Sequence, residues 1–179
     1  MVTFDHRRVD PLVGDDTGDL RIREAVRAVV VDPDHHVLLV RFQFPGAHVW
    51  ATPGGGMEPG EDAAATLRRE LDEELGLLDV PIGPHIWDRL HIVAFLNGQW
   101  DGQRDRFYLV DGPAFDPRPR LTWEQLNAEH LFEIRWWSPA ELAAFAPTTT
   151  EFFAPRRLPE LFATLLADGP PSSPIDTGP

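Results

Sequence analysis

From Arg23 onward, apolar residues recur at spacings that change along the chain. The stretch "REAVRAVVVDPDHHVLLVRF", beginning at Arg23, carries two β-branched runs around "DPDHH" and predicts a β-hairpin. "QFPGAHVWATPGGGMEPG" is expected as a loop, because glycine and proline interrupt both strand and helix patterns. A helix is predicted from about Asp62 to Leu75, with Gly76 where a left-handed cap is commonly needed. From Ile82 the pattern turns extended again through "PHIWDRLHIVAFLNGQWDGQRDRFYLV", with Asn97-Gly98 as a hairpin-turn signal.

The second half is more broken. "GPAFDPRPRLTWEQLNAEHLF" is expected as a loop with one short helical turn, and "EIRWW" as a last strand. "SPAELAAFA" predicts a helix with Ser138 as N-cap and Pro139 at its first position. Leu158 to Ala167 predicts a closing helix. The expected organisation is a flexible N-terminal arm over 1–20, a single domain over 21–167, and a disordered end over 168–179. Strands alternating with helices imply an α/β fold with helices packed on a sheet.

Composition narrows the chemistry. A chain of 179 residues with 42% hydrophobic and 25% charged residues is ordinary for one globular domain. Cysteine is absent, which excludes disulfides, thiolate metal sites and a cysteine nucleophile. All 16 basic residues are arginine, which excludes a Schiff base formed by the protein. The net charge of −13 disfavours long contacts with a nucleic-acid backbone or an anionic membrane, though not a small phosphorylated ligand that arrives with cations. No apolar run is long enough to span a bilayer and the first residues do not resemble a signal peptide, so the expected location is cytoplasmic.

One segment departs from the ordinary. In "GGGMEPGEDAAATLRRELDEELGL", Gly54 to Leu77, four acids crowd the end of the predicted helix. At about 100° per residue, Glu70, Glu73 and Glu74 share a face, and Leu67, Leu71 and Leu75 form an adjoining stripe. The leucines can dock the helix while the carboxylates line a rim. Like charges at this spacing repel by a few tenths of a kcal/mol per pair, roughly, when solvated. Converging carboxylates suit a hard divalent cation such as Mg²⁺ or Mn²⁺, which removes that repulsion. The glycines ahead of the helix let main chain approach a ligand, and the Gly54 carbonyl is the natural candidate to complete the oxygen shell.

The same stretch resembles the signature box of the Nudix hydrolases: Gly, five residues, Glu, seven residues, Arg-Glu, aliphatic, any, Glu-Glu, any, Gly, aliphatic. Gly55, Glu61, Arg69, Glu70, Leu71, Glu73, Glu74, Gly76 and Leu77 meet it without a departure. Together with "VLLVRF", "WATPGGG" and "EIRWWSPAEL", the resemblance spans about Arg23 to Phe145. It implies a Nudix-type α/β/α sandwich, a mixed β-sheet with helices packed on both faces. It also implies metal-dependent hydrolysis of a pyrophosphate bond in a small nucleoside diphosphate-X compound. The rival reading is a module that senses a nucleotide without turnover.

For individual residues the resemblance implies Glu61, Arg69, Glu70 and Glu73 as catalytic. It implies Gly54, Glu70, Glu73, Glu74 and Glu133 as metal ligands, with Glu129 beside Glu133 as a further acid. Arg41, Trp50 and Gly55 are the expected substrate contacts, with Trp87 and Trp100 as further stacking candidates. Glu73 can share a second ion or act as base, and the sequence leaves both open. Val93 and Ala94 stand near where some subfamilies carry a diagnostic proline or tyrosine, so those substrate markers are not evident. The expected partner is a small nucleotide rather than long nucleic acid or a membrane, and the resemblance leaves a homodimer open.

Overall fold

The structure is a computed structural model that describes residues 19–93, 95 and 98–178. The expected arm over 1–20 therefore lies almost wholly outside the described residues, as do Ala94 and Asn97. The elements in chain order are β1 (Ile22–Val31), β2 (Val37–Phe44), β3 (Ala47–Ala51), α1 (Ala63–Leu75), β4 (His85–His91), β5 (Gly102–Asp111), α2 (Trp123–Ala128), β6 (Leu131–Trp137), α3 (Pro139–Ala144), β7 (Glu151–Ala154), α4 (Leu158–Asp168) and β8 (Ile175–Asp176).

One mixed sheet runs β7-β3-β2-β1-β5-β4-β8, with β6 paired to β2. β1 and β5 are parallel over their whole length, from Ile22–Gly102 to Val31–Asp111, and β4 runs antiparallel to β5. Both faces are covered. On one, Val26, Ala28, Val30, Leu38 and Val40 pack against Leu67, Leu71 and Leu75 of α1 and Leu126 of α2. On the other, Val29, Val31, Leu39, Trp87 and Phe107 pack against Leu142 of α3 and Leu158, Leu161, Phe162 and Leu165 of α4. Burial on both faces explains why β1 reads as a near-continuous apolar run rather than a clean alternation. The result is the expected α/β/α sandwich.

Three differences from the sequence reading have local causes. β3 forms inside the expected loop, because Gly46 at φ +82 lets Phe44 and Ala47 close a tight hairpin between β2 and β3. β7 pairs in parallel with β3 over only four residues, too short to carry a period. The expected disordered end is instead placed against the sheet: Ile175 and Asp176 pair with Trp87 and Asp88, and the Thr177 amide donates to the Asp88 carbonyl at 2.9 Å. Main-chain pairing of an edge strand needs little side-chain hydrophobicity, so composition did not reveal it.

The sheet contains a notch that positions the site. β1 meets β2 only at Val31–Val37, leaving the earlier half of that β1 edge open. The segment Pro53–Met57 fills it. Val26 N–H donates to Gly55 O, Ala28 N–H to Pro53 O, and Met57 N–H to Glu24 O, at 2.9–3.0 Å. The glycine-rich stretch is thereby held as a substitute strand.

Candidate functional site

α1 is fixed at both ends. Asp62 caps its start by accepting the Ala65 amide at 2.8 Å. Gly76, at φ +66, ends it in the left-handed region, with Gly76 N–H on Asp72 O and Leu77 N–H on Leu71 O. The chain beyond β5 returns to the same end: Arg118 N–H donates to Leu75 O and Leu121 N–H to Glu73 O. Leu67, Leu71 and Leu75 are fully buried against the sheet. That stripe rotates Glu70 and Glu74 inward, leaving them only 8% and 4% exposed.

These two acids face the glycine turn. The Gly54 amide donates to Glu74 Oε2 at 2.9 Å. Gly54 sits at φ +130, and a Cβ there would overlap the Val26 carbonyl. A Cβ on Gly55 would overlap the Glu70 carboxylate. The missing side chain at Gly54 lets the turn lie close against β1, and the one at Gly55 lets it lie close to the Glu70 carboxylate of α1.

Arg69 ties the acids together. Its Nε and Nη2 form a fork on Glu61 at 2.8 and 2.9 Å, Nη2 also reaches Gly56 O at 3.1 Å, and Nη1 donates to Glu70 at 2.8 Å and Glu73 at 3.3 Å. Glu61 is held down to about 2 by the Arg69 hydrogen bond and then the Glu58 amide. Arg69 is raised, chiefly by Glu61. The buried pair behaves oppositely. Burial pushes Glu70 above the usual carboxylate range despite Arg69. Burial, then the charge of Glu70, pushes Glu74 to about 8. The acidic rim is short of positive charge, and Glu74 answers by favouring its protonated form.

This donor set fits a hard divalent cation. The buried Glu70 and Glu74 carboxylates lie against the Gly54–Gly55 turn, where a Cβ on Gly55 would meet Glu70, and with the Gly54 carbonyl the donors on offer are all oxygen. Glu73, partly exposed, stands at the outer edge between Arg69 and Arg120, whose Nη2 donates to it at 2.8 Å.

The remaining sequence candidates lie farther along the sheet. Glu133 pairs with Arg41 across β2 and β6 at 2.9 Å. Glu129 lies near enough for its charge, after that of Glu70, to act on Glu74 and on Arg23. Trp50 is buried in the core, gives its Nε1 to Glu151 at 3.1 Å, and carries Arg41 over its ring. Trp87 is likewise core.

Sequence reasoning missed Arg27. Its Nη1 donates to Gly54 O at 2.6 Å and its Nε to Asp105 at 3.0 Å. Burial opposes its charge, but Asp105 more than restores it. A carbonyl has two acceptor lone pairs, so Arg27 orients Gly54 O without exhausting it. The available signal was an arginine inside the valine run of β1. Among the described residues, the group of acidic or histidine side chains that brings three ligand atoms within 4.8 Å of one another is Asp32, Asp34 and His36 in the β1–β2 turn; Glu70, Glu73 and Glu74 do not converge so tightly. There the Asp32 carboxylate already accepts the Asp34 and His36 amides at 2.9 and 2.8 Å, as a turn requires.

Residues 21–161 match the family model described as the NUDIX domain. The chain belongs to the Nudix family. It is 30% identical over 132 residues to Nudix hydrolase 25 of Arabidopsis thaliana, covering 67% of this chain and 74% of that one. It is 39% identical over 103 residues to an RNA pyrophosphohydrolase of Rhodopseudomonas palustris, covering 53% of this chain and 58% of that one. Among solved structures, the NUDIX domain of Shewanella oneidensis NrtR complexed with ADP ribose superimposes with a TM-score of 0.58 at 18% identity, covering 81% of this chain and 88% of that one. That last likeness concerns the Nudix fold alone.

Proposed function

We propose that this chain hydrolyses a pyrophosphate bond in a small nucleoside diphosphate-X compound, with Mg²⁺ or Mn²⁺ held by Glu70, Glu74, the Gly54 carbonyl and, at the outer edge, Glu73. The observation that carries the reading is the pair of inward carboxylates facing a side-chain-free glycine turn, with Glu74 displaced to about 8. When bound, a divalent ion supplies neutralisation of the diphosphate and a lowered pKa for a coordinated water.

The protein's own groups divide the remaining work. Arg69 fixes the relative positions of Glu61, Glu70 and Glu73 through its fork. A water oxygen forms the new bond to phosphorus, the bridging P–O bond breaks, and the water's proton passes to a carboxylate. In this reading Glu73 takes that proton or shares a second ion, and its partial exposure beside Arg69 and Arg120 supports the assignment. Glu133, bound to Arg41, serves as a ligand only if that pair opens. Arg41 and Gly55 remain the substrate contacts in this reading, with Trp50 supporting Arg41 from below.

The net charge of −13 favours a small nucleotide over the body of an RNA. The test is product analysis with a panel of nucleoside diphosphate derivatives, nucleoside triphosphates and 5′-triphosphorylated RNA, with Mg²⁺ or Mn²⁺. Cleavage of a small compound supports the proposal. Absence of turnover together with tight nucleotide binding would support the sensing module instead.

A further inference from the structure

Beyond the glycine turn, the sheet face carries an arginine cluster of which Arg27 reaches the acidic rim, through the Gly54 carbonyl, and Arg89 has no contact with it. From Gly54 O the contacts run across three strands: Arg27 on β1, Asp105 on β5, Arg89 on β4. Asp105 is already engaged, its Oδ1 accepting Arg27 Nε at 3.0 Å and Gln103 Nε2 at 2.7 Å. What it offers Arg89 is one contact at 3.7 Å, outside hydrogen-bond range.

Arg89 is otherwise poorly provided for. Its side chain is only 11% exposed, and its Nε is buried with no hydrogen-bond partner. Arg156, in the turn between β7 and α4 with its guanidinium over the Phe152 ring at 4.0 Å, is close enough for its charge to bear on both Arg89 and His91. His91 is itself kept uncharged, pushed down to about 4 by burial and then by Arg89. Two buried guanidiniums thus share one carboxylate beneath a third positive charge, in a chain whose net charge is −13. A guanidinium does not escape burial by losing its proton, so a missing counter-charge must be supplied from outside.

We propose that Arg89, with Arg27 and Arg156, forms an anion subsite for a phosphate group of the substrate other than the diphosphate that meets α1. The inference rests on the hydrolase reading and narrows it: X, or the nucleoside, carries its own phosphate rather than ending in a neutral sugar. Phosphate matches the planar fork of a guanidinium. Two strand spacings separate β4 from β1, about 10 Å, which lies outside the cleaved diphosphate and within the span of one nucleotide.

The test is calorimetric titration of the metal-free protein, in EDTA, with inorganic phosphate. Wild type is expected to bind, and Arg89→Gln to weaken binding about tenfold, the loss of one charge-assisted contact. Arg89→Lys, which keeps the charge, should restore part of it, and Arg156→Ala, at an exposed position, should weaken binding severalfold. Absence of phosphate binding by wild type overturns the proposal, as does unchanged affinity in Arg89→Gln. If Arg89→Gln fails to fold, unchanged affinity in Arg156→Ala overturns it. Because no turnover is needed, an inactive protein that still binds phosphate through Arg89 sinks the hydrolase reading alone. An active enzyme indifferent to phosphate sinks this one alone.

Discussion

Glu74 concentrates the physics of the site in one side chain. Its folded pKa, about 8, lies above the ordinary 4.5, so the folded metal-free protein holds a proton that the unfolded chain releases. Stability from this group is therefore full below about pH 4.5, declines as pH rises through the interval, and levels off above about pH 8. Melting curves in EDTA across that range should show the decline. Glu74→Gln should flatten it and be more stable than wild type at the alkaline end, since a neutral amide still accepts the Gly54 N–H without burying charge. Glu73 is different. It stands at the mouth, so Glu73→Gln should leave the melting temperature nearly unchanged while lowering kcat about a hundredfold or more, the scale of a lost general base. A steady-state assay with whichever nucleotide the panel identifies checks that split.

At the scale of elements, α1 and the turn before it act as one unit. Leu71→Ala should destabilise the protein by about 2–5 kcal/mol, as cavities at fully buried leucines do. Chemical denaturation measures it. Gly55→Ala is subtler. Its Cβ would push the Glu70 carboxylate aside, so stabilisation by added metal should fall even where the fold survives. The extent of α1, its cap residues and its leucine stripe were legible because all are local and periodic: Asp62, Gly76 and the i, i+4 spacing suffice. β3, β7 and β8 were not, because each is short and exists through pairing with a distant strand. The carboxylates were legible for the same local reason as the helix. Their environment was not: Arg27 and Asp105 reach the site from β1 and β5, and only the parallel register of those strands brings them together. The placement of Glu133 against Arg41 likewise follows from β2–β6 pairing, which no spacing in the sequence announces.

For the whole molecule, the question is why a chain of net charge −13 tolerates further acids in a buried cluster. The sandwich answers by geometry. α1 supplies the carboxylates, β1 and β4 supply Arg27 and Arg89, and Gly54 on the substitute strand meets both sets, its amide donating to Glu74 and its carbonyl accepting from Arg27. Opposite charges are thus held on either side of a turn that carries no side chain at its narrowest point. No helix among the described residues is long and apolar enough to cross a membrane. The central claim is that the acidic rim binds divalent cations, and linkage makes it directly measurable. Melting temperature at about pH 8 should rise on replacing EDTA by Mg²⁺ or Mn²⁺ in wild type and stay unchanged in Glu74→Gln, where the ionised ligand is missing. An equal rise in both proteins, or none in wild type, would contradict the account.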